Sequence, residues 1–315
     1  MPGLIPFPGM DQGSPWLPGT RRSWLRWRML KSFGKASGFL VAAVASMVIA
    51  AVVVGMFAPA WASRDGQPWP VMAVGASLIL GVTALCLRLE RRGWATVGLR
   101  PGWAWLRQFA LGLFIGAGLV GGLAWLLMLG GGLYWQPNRP FTTGLMLSGT
   151  TYFGFAVLVE ELVFRGYALR RLAEGIGEVK AIVVMAALFG GYHVLSIGSS
   201  MSVKSGGSEL VWTAVGPLAG AIVFGVAALR TGGIALPLGL HLSWNWTQWH
   251  FFTFPGDDNP IGLWNPIVTA RYADHPAVFR VGYLSAMTVA LLVVLALTRK
   301  KQGFRAPTLG VAGLG

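Results

Sequence analysis

The chain has 315 residues, of which 54% are hydrophobic and only 11% charged, and its mean hydropathy is +0.60. Soluble domains carry about 25% charged residues, so this composition excludes an ordinary soluble enzyme and leaves a polytopic membrane protein. The formal charge of +14 comes from basic residues placed between apolar stretches, which is the pattern of a topology signal, and no nucleic-acid partner is expected.

In chain order, residues 1 to about 20 are rich in Pro and Gly, have no period, and read as disordered. Arg21, Arg22, Arg26, Arg28, Lys31 and Lys35 follow, and residues 1–36 together are expected to form a disordered basic N-terminal tail. The first apolar run lies too far along the chain for a cleaved signal peptide. Spans need about 20 apolar residues. They are predicted near Gly38–Trp61, Trp69–Leu89, Trp105–Leu129, Gly144–Tyr167, Val179–Ile197, Leu210–Leu229, Gly233–Phe252 and Phe279–Thr298. An eight-span path puts 20 of the 25 basic residues on one side and leaves Arg64, Arg139, Lys204, Arg271 and Arg280 on the other. By the positive-inside rule both termini are then cytoplasmic, and in a bacterium the membrane is the plasma (inner) membrane. The fold class is therefore all-α: about eight transmembrane helices enclosing an intramembrane cavity over residues 37–298, with a cytoplasmic tail at 299–315.

Other features have plain structural readings. Cys86, the single cysteine, is a small core residue and cannot form an intramolecular disulfide. Trp61, Trp69, Trp103, Trp105, Trp135 and Trp264 fall near span ends, where indole rings prefer the headgroup layer. Gly112, Gly116, Gly118 and Gly122 form small-residue stripes suited to close helix contact. The absence of any evident internal repeat weighs against an inverted-repeat transporter.

The chemistry sits in three places. Glu160 and Glu161 interrupt the fourth span, with Arg165 one turn further on. A charge at mid-bilayer costs roughly 2.5–3.5 kcal/mol on insertion scales, so such a pair is rarely idle. Neighbours on a helix point about 100° apart, so the two carboxylates do different jobs. Glu161 pairs with Arg165 at four residues' spacing, leaving Glu160 to face a poorly solvated cavity as a general base. The bland alternative is an ion pair near the helix end, with Arg165 reaching the interface, but it leaves Glu160 unpartnered. In the fifth span, Phe189 and His193 are one turn apart. In the seventh, His241 and Asn245 share a face, and Pro237 four residues before His241 is expected to break the helix at membrane depth. Converging on one cavity, these groups could hold a water, a metal ion or a tetrahedral oxyanion. His250 and His275 read as interfacial or solvated, Asp257 and Asp258 as loop residues, and Arg170, Arg171 and Lys180 as topology signals.

The ordered motifs Glu160-Glu161-Leu-Val-Phe-Arg165, Phe189-Gly-Gly-Tyr-His193 and His241-Leu-Ser-Trp-Asn245 resemble those of the CPBP family, the CAAX proteases and bacteriocin-processing enzymes also called Abi proteins. Trp94 to Arg100 resembles the family's upstream segment, and the likeness covers roughly residues 93–252. The resemblance implies an intramembrane endopeptidase of the hydrolase class, acting on a peptide or lipidated protein substrate such as a CAAX-like prenylated peptide or a leader peptide. Glu160 takes the catalytic role, supported by Glu161 and Arg165, with His193, His241 and Asn245 completing the site. A metalloprotease reading would place Zn²⁺ on His193 and His241, whereas a metal-independent mechanism uses a glutamate-activated water. The competing class is a non-enzymatic membrane protein, either an immunity-type partner binder or a proton-coupled carrier. A lipid or amide hydrolase would use the same groups. Nothing in the sequence fixes the oligomeric state.

Overall fold

A transmembrane chain must satisfy its backbone hydrogen bonds within each segment, and the apolar runs do so as helices. The computed structural model describes residues 18–62, 68–137, 142–201, 207–252, 263–273, 275 and 277–298. Its main helices are α1 (Pro18–Phe57), α2 (Trp69–Leu89), α3 (Trp103–Leu129), α4 (Thr143–Glu161), α5 (Ala168–Ile176), α6 (Glu178–Met201), α7 (Gly207–Thr231), α8 (Ala235–His250) and α9 (Ala277–Leu297). Among the described residues, seven helical segments are long and apolar enough to cross a membrane. The protein is an all-α, multi-pass integral membrane protein.

The helices run alternately up and down. Lys35 of α1 meets Glu90 at the end of α2, and Arg230 in the last turn of α7 donates to Thr298 just past α9. The start of α1 and the end of α9 therefore lie at one end of the bundle, here called the basic end. At the opposite end, strands β1 (Leu133–Pro137) and β2 (Trp264–Val268) pair antiparallel, with Leu133 opposite Val268 and Pro137 opposite Trp264. This two-stranded ribbon was not expected from the sequence. Five residues in each loop are too few to stand out by period.

Three expectations need correction. The basic run from Arg21 to Lys35 is helical, because α1 begins at Pro18 and continues unbroken to Phe57. Residues 1–17 and 299–315 lie outside the described residues. The seventh predicted span is a helix of only 16 residues, α8, about 24 Å long and short of the ~30 Å hydrocarbon core. Pro237 does not break that helix. It occupies the third helical position, where a backbone N–H has no intrahelical acceptor to lose, and Leu238 already donates to Ile234 at 2.9 Å.

Packing explains how so short a helix is held. The closest helix pair is α3 with α8. A Cβ at Gly112 would collide with the Leu236 carbonyl, one at Gly116 with the Leu240 carbonyl and Ser243 hydroxyl, and one at Gly239 with the Phe109 carbonyl. Small residues thus let the two backbones touch, as they do between membrane helices generally. Gly118 and Gly122 face open space, so only one of the two expected stripes makes this contact. Besides a small cluster of Ala50, Val54 and Val71 between α1 and α2, two larger apolar cores result. One joins α1, α2, α4, α5 and α6 around Phe39, Ile79, Leu162, Leu169 and Phe189. The other joins α3, α7, α8 and α9 around Val120, Phe224, Leu240 and Met287.

Candidate active site

The fourth membrane segment is a single helical run interrupted by a π turn. Residues Leu162–Tyr167 take π geometry between α4 and α5, directly after Glu161, and all six are buried. Such turns are rare and concentrate at functional sites. Gly177, at φ 85°, reverses the chain into α6. From that turn, Glu160 lies back along α4–α5 and His193 forward along α6 by nearly equal numbers of residues, about 25 Å each. The hairpin of helices thus brings them to one depth.

The geometry assembles most of the expected set. His241 Nδ1 lies 2.9 Å from Glu161 Oε1, and its Nε2 lies 3.5 Å from Glu160 Oε2. One imidazole thus bridges the adjacent carboxylates, which point apart as their helical spacing requires. Glu161 is fully buried and Glu160 half-buried. Arg165 Nη1 is 3.1 Å from Glu161 Oε1. This contact is off the hydrogen-bond axis, and both Arg165 terminal nitrogens lack an acceptor among the described residues. The attraction is therefore charge–charge, reinforced by the faces of Phe189, Phe224 and Phe164 at 4.3, 5.2 and 5.8 Å from the guanidinium carbon. Arg165 does not reach an interface; it is 2% exposed.

His193 Nδ1 lies 2.9 Å from the Phe189 carbonyl oxygen, which in the neutral ring makes Nδ1 the donor and Nε2 the lone-pair nitrogen. The ring sits 4.5 Å from that of Phe189, which is 6.1 Å from the ring of His241. His193 also interacts electrostatically with Glu160, His241 and Arg165. Asn245 lies one turn beyond His241 on α8 and is half-buried. Phe224 stacks on His241 at 4.5 Å and 21°. Sequence reasoning passed over Phe224, because an aromatic residue in an apolar span carries no signal of its partner. Tyr152 and Tyr192 were also missed. Both interact electrostatically with Glu160. Tyr152 stands two helical turns before Glu160, and Tyr192 adjoins His193, a spacing that could have marked them.

The remaining expectations divide. His250 is fully buried rather than solvated, held by the Trp246 carbonyl at 2.9 Å and packed against the Trp246 and Phe153 rings. His275 and Lys180 are exposed. Asp257 and Asp258 lie outside the described residues. Arg170 and Arg171 are buried, with partners inside the protein. Arg170 donates to the Ala228 carbonyl at the C-terminal end of α7, where a cation complements the helix dipole. Arg171 pairs with Glu90 at 2.9 Å and Glu174 at 2.7 Å.

As for a metal, His241 held by a carboxylate through Nδ1 has the setting of many metal-binding histidines. Among the described residues, however, no group of three or more His, Cys, Asp or Glu side chains is placed to hold a metal ion. The residues present do not form the three-ligand set of a catalytic zinc site.

No curated protein and no solved structure matches the chain. Residues 142–247, which carry Glu160, Glu161, Arg165, His193, His241 and Asn245, match the family model described as Type II CAAX prenyl endopeptidase Rce1-like. Over that stretch the chain is similar to the Rce1-like family.

Proposed function

We propose that the protein is an intramembrane endopeptidase that hydrolyses a peptide bond in a membrane-associated substrate, a CAAX-like prenylated peptide or a leader peptide, with a water activated by Glu160. The observation that carries this reading is the meeting of Glu160 and His241, far apart in sequence, within 3.5 Å inside a membrane protein.

If His241 donates from Nδ1 to Glu161, its Nε2 faces Glu160, and a proton can pass between the two. With the proton on His241, the imidazolium is balanced by two carboxylates. Glu160 is then a free base, and Nε2–H becomes a donor for developing negative charge. Glu160 takes a proton from a water held near His193, and the hydroxide attacks the scissile carbonyl. His241, with the Asn245 amide, stabilises the oxyanion. Glu160 then returns the proton to the leaving amine. Glu161 and Arg165 position His241 and do not touch the substrate. Access is from the side, where α4 and α6 make at most sparse contact among the described residues. Tyr192, on the α6 flank beside His193, is 40% exposed. The basic end faces the cytoplasm by the positive-inside rule, with both chain termini on that side.

The deciding experiment is cleavage by the Glu160→Gln variant in nanodiscs with a lipidated reporter peptide. Loss of cleavage with unchanged melting supports the proposal, and retained cleavage ends it. A zinc-dependent reaction is the second reading, favoured only by the Glu161–His241 contact. It predicts that a chelator abolishes cleavage and that zinc restores it.

A further inference from the structure

A helix of 40 residues spans about 60 Å, twice the ~30 Å hydrocarbon core. In α1 the charge-free stretch from Gly38 to Phe57 fills that core by itself. Lys35 meets Glu90 at 2.8 Å where α2 ends, which marks the bilayer boundary. The turns from Ser23 to Gly34 therefore stand at and beyond the headgroups of the basic end.

Those turns are neither wrapped in protein nor simply polar. Ser32 is buried, set against Gly175 of α5, where an added Cβ would collide with it. On the adjoining face Trp24, Trp27, Arg28 and Lys31 follow helical spacing. Lys31 lies 3.3 Å over the Trp27 ring and Arg28 5.6 Å over that of Trp24. The two indoles are 46% and 56% exposed. The bordering carboxylates, Glu90 and Glu174, are already taken by Lys35, Arg92 and Arg171. Arg88, in the last turn of α2, is also exposed.

We infer that this face of α1 is a binding surface for anionic phospholipid headgroups of the leaflet at the basic end. Indoles settle at the headgroup level, and cations stacked on them present their charge to phosphate. The surplus of cations over available carboxylates gives the complementarity. Such attraction decays within a Debye length, so it acts on lipid at the boundary and weakens with salt. The inference concerns lipid binding only and stands or falls independently of the proposed hydrolysis.

The test is native mass spectrometry of the full-length chain in detergent, titrated with phosphatidylglycerol or phosphatidylcholine. The wild-type chain is expected to retain phosphatidylglycerol preferentially. The Arg28→Gln/Lys31→Gln variant should lose that preference by roughly fivefold per charge at low salt. Lys180→Gln, an exposed charge at the same end, should leave it unchanged, and Trp24→Leu/Trp27→Leu should weaken it at unchanged melting temperature. Equal retention of the two lipids, or an equal loss in Lys180→Gln, overturns the inference.

Discussion

Two clusters of charge sit in this protein, and they are built in opposite ways. At the basic end Glu90 gathers Lys35 at 2.8 Å, Arg171 at 2.9 Å and the Tyr167 hydroxyl at 2.8 Å, while Glu174 takes Arg92 and Arg171. Deeper in the bundle, Glu161 has His241 at 2.9 Å and Arg165 at 3.1 Å, whereas Glu160 has His241 at 3.5 Å. The first cluster surrounds its carboxylates with cations and locks α1, α2 and α5 together. The second leaves Glu160 with a looser contact to His241. A fully partnered charge is structural, whereas an underserved one can exchange a proton with a substrate.

The comparison breaks if both clusters respond alike to substitution. The largest expected effect is on cleavage. Glu160→Gln should lower kcat by about 10²–10⁴-fold, the usual weight of a general base, with circular dichroism and melting unchanged. Glu90→Gln should leave kcat within about twofold of the wild-type value, as a surface-end network allows.

Next is Arg165→Lys. A compact ammonium cannot spread over three ring faces while meeting Glu161. Breaking a buried pair costs about 3–5 kcal/mol, so the variant should melt well below wild type and lose activity. A wild-type melt would show that the aromatic cage is dispensable. Gly116→Leu comes third. It should push α8 off α3, costing roughly 1–3 kcal/mol as overpacking does, and should lower kcat by carrying His241 away from Glu160. Gly118→Leu, which faces open space, should do neither.

The smallest effect is the acid response of the outer cluster. Burial alone would raise the Glu90 carboxyl above its ordinary 4.5, but Lys35, Tyr167 and Arg171 outweigh it and hold the group below that value. A lowered folded value means the stabilisation is complete above 4.5 and drains away as pH falls through the lower folded value. Melting curves of wild type and Glu90→Gln should therefore converge in strong acid and stay apart at neutral pH. Parallel curves throughout would remove the ionic role given to Glu90.

Much of this was legible before any coordinates. Glu160, Glu161 and Arg165 stand out because charge in an apolar run is costly. His193 and His241 stand out because an imidazole recurs there. What failed to show has a common cause. The π turn at Leu162–Tyr167 depends on tertiary packing, and nothing in Leu-Val-Phe-Arg-Gly-Tyr distinguishes it from an α turn. Phe224 became relevant only when α7 laid it on His241. The contact stripe of α3 was visible, but which pair of glycines met a neighbour was decided by the placement of α8. The burial of Arg170 and Arg171 was not foreseen, because the positive-inside rule counts charges and says nothing of their burial.

The shortness of α8 also bears on the order of biogenesis. A segment of 16 residues with several polar side chains is a poor candidate for independent insertion. Its berth on α3 is made much earlier in synthesis, so the Gly112–Gly116 groove must wait in the lipid until the ribosome delivers its occupant. Glu160 and Glu161 meet His241 only at that late docking step, and a nascent chain still short of α8 lacks the bridge between its two carboxylates.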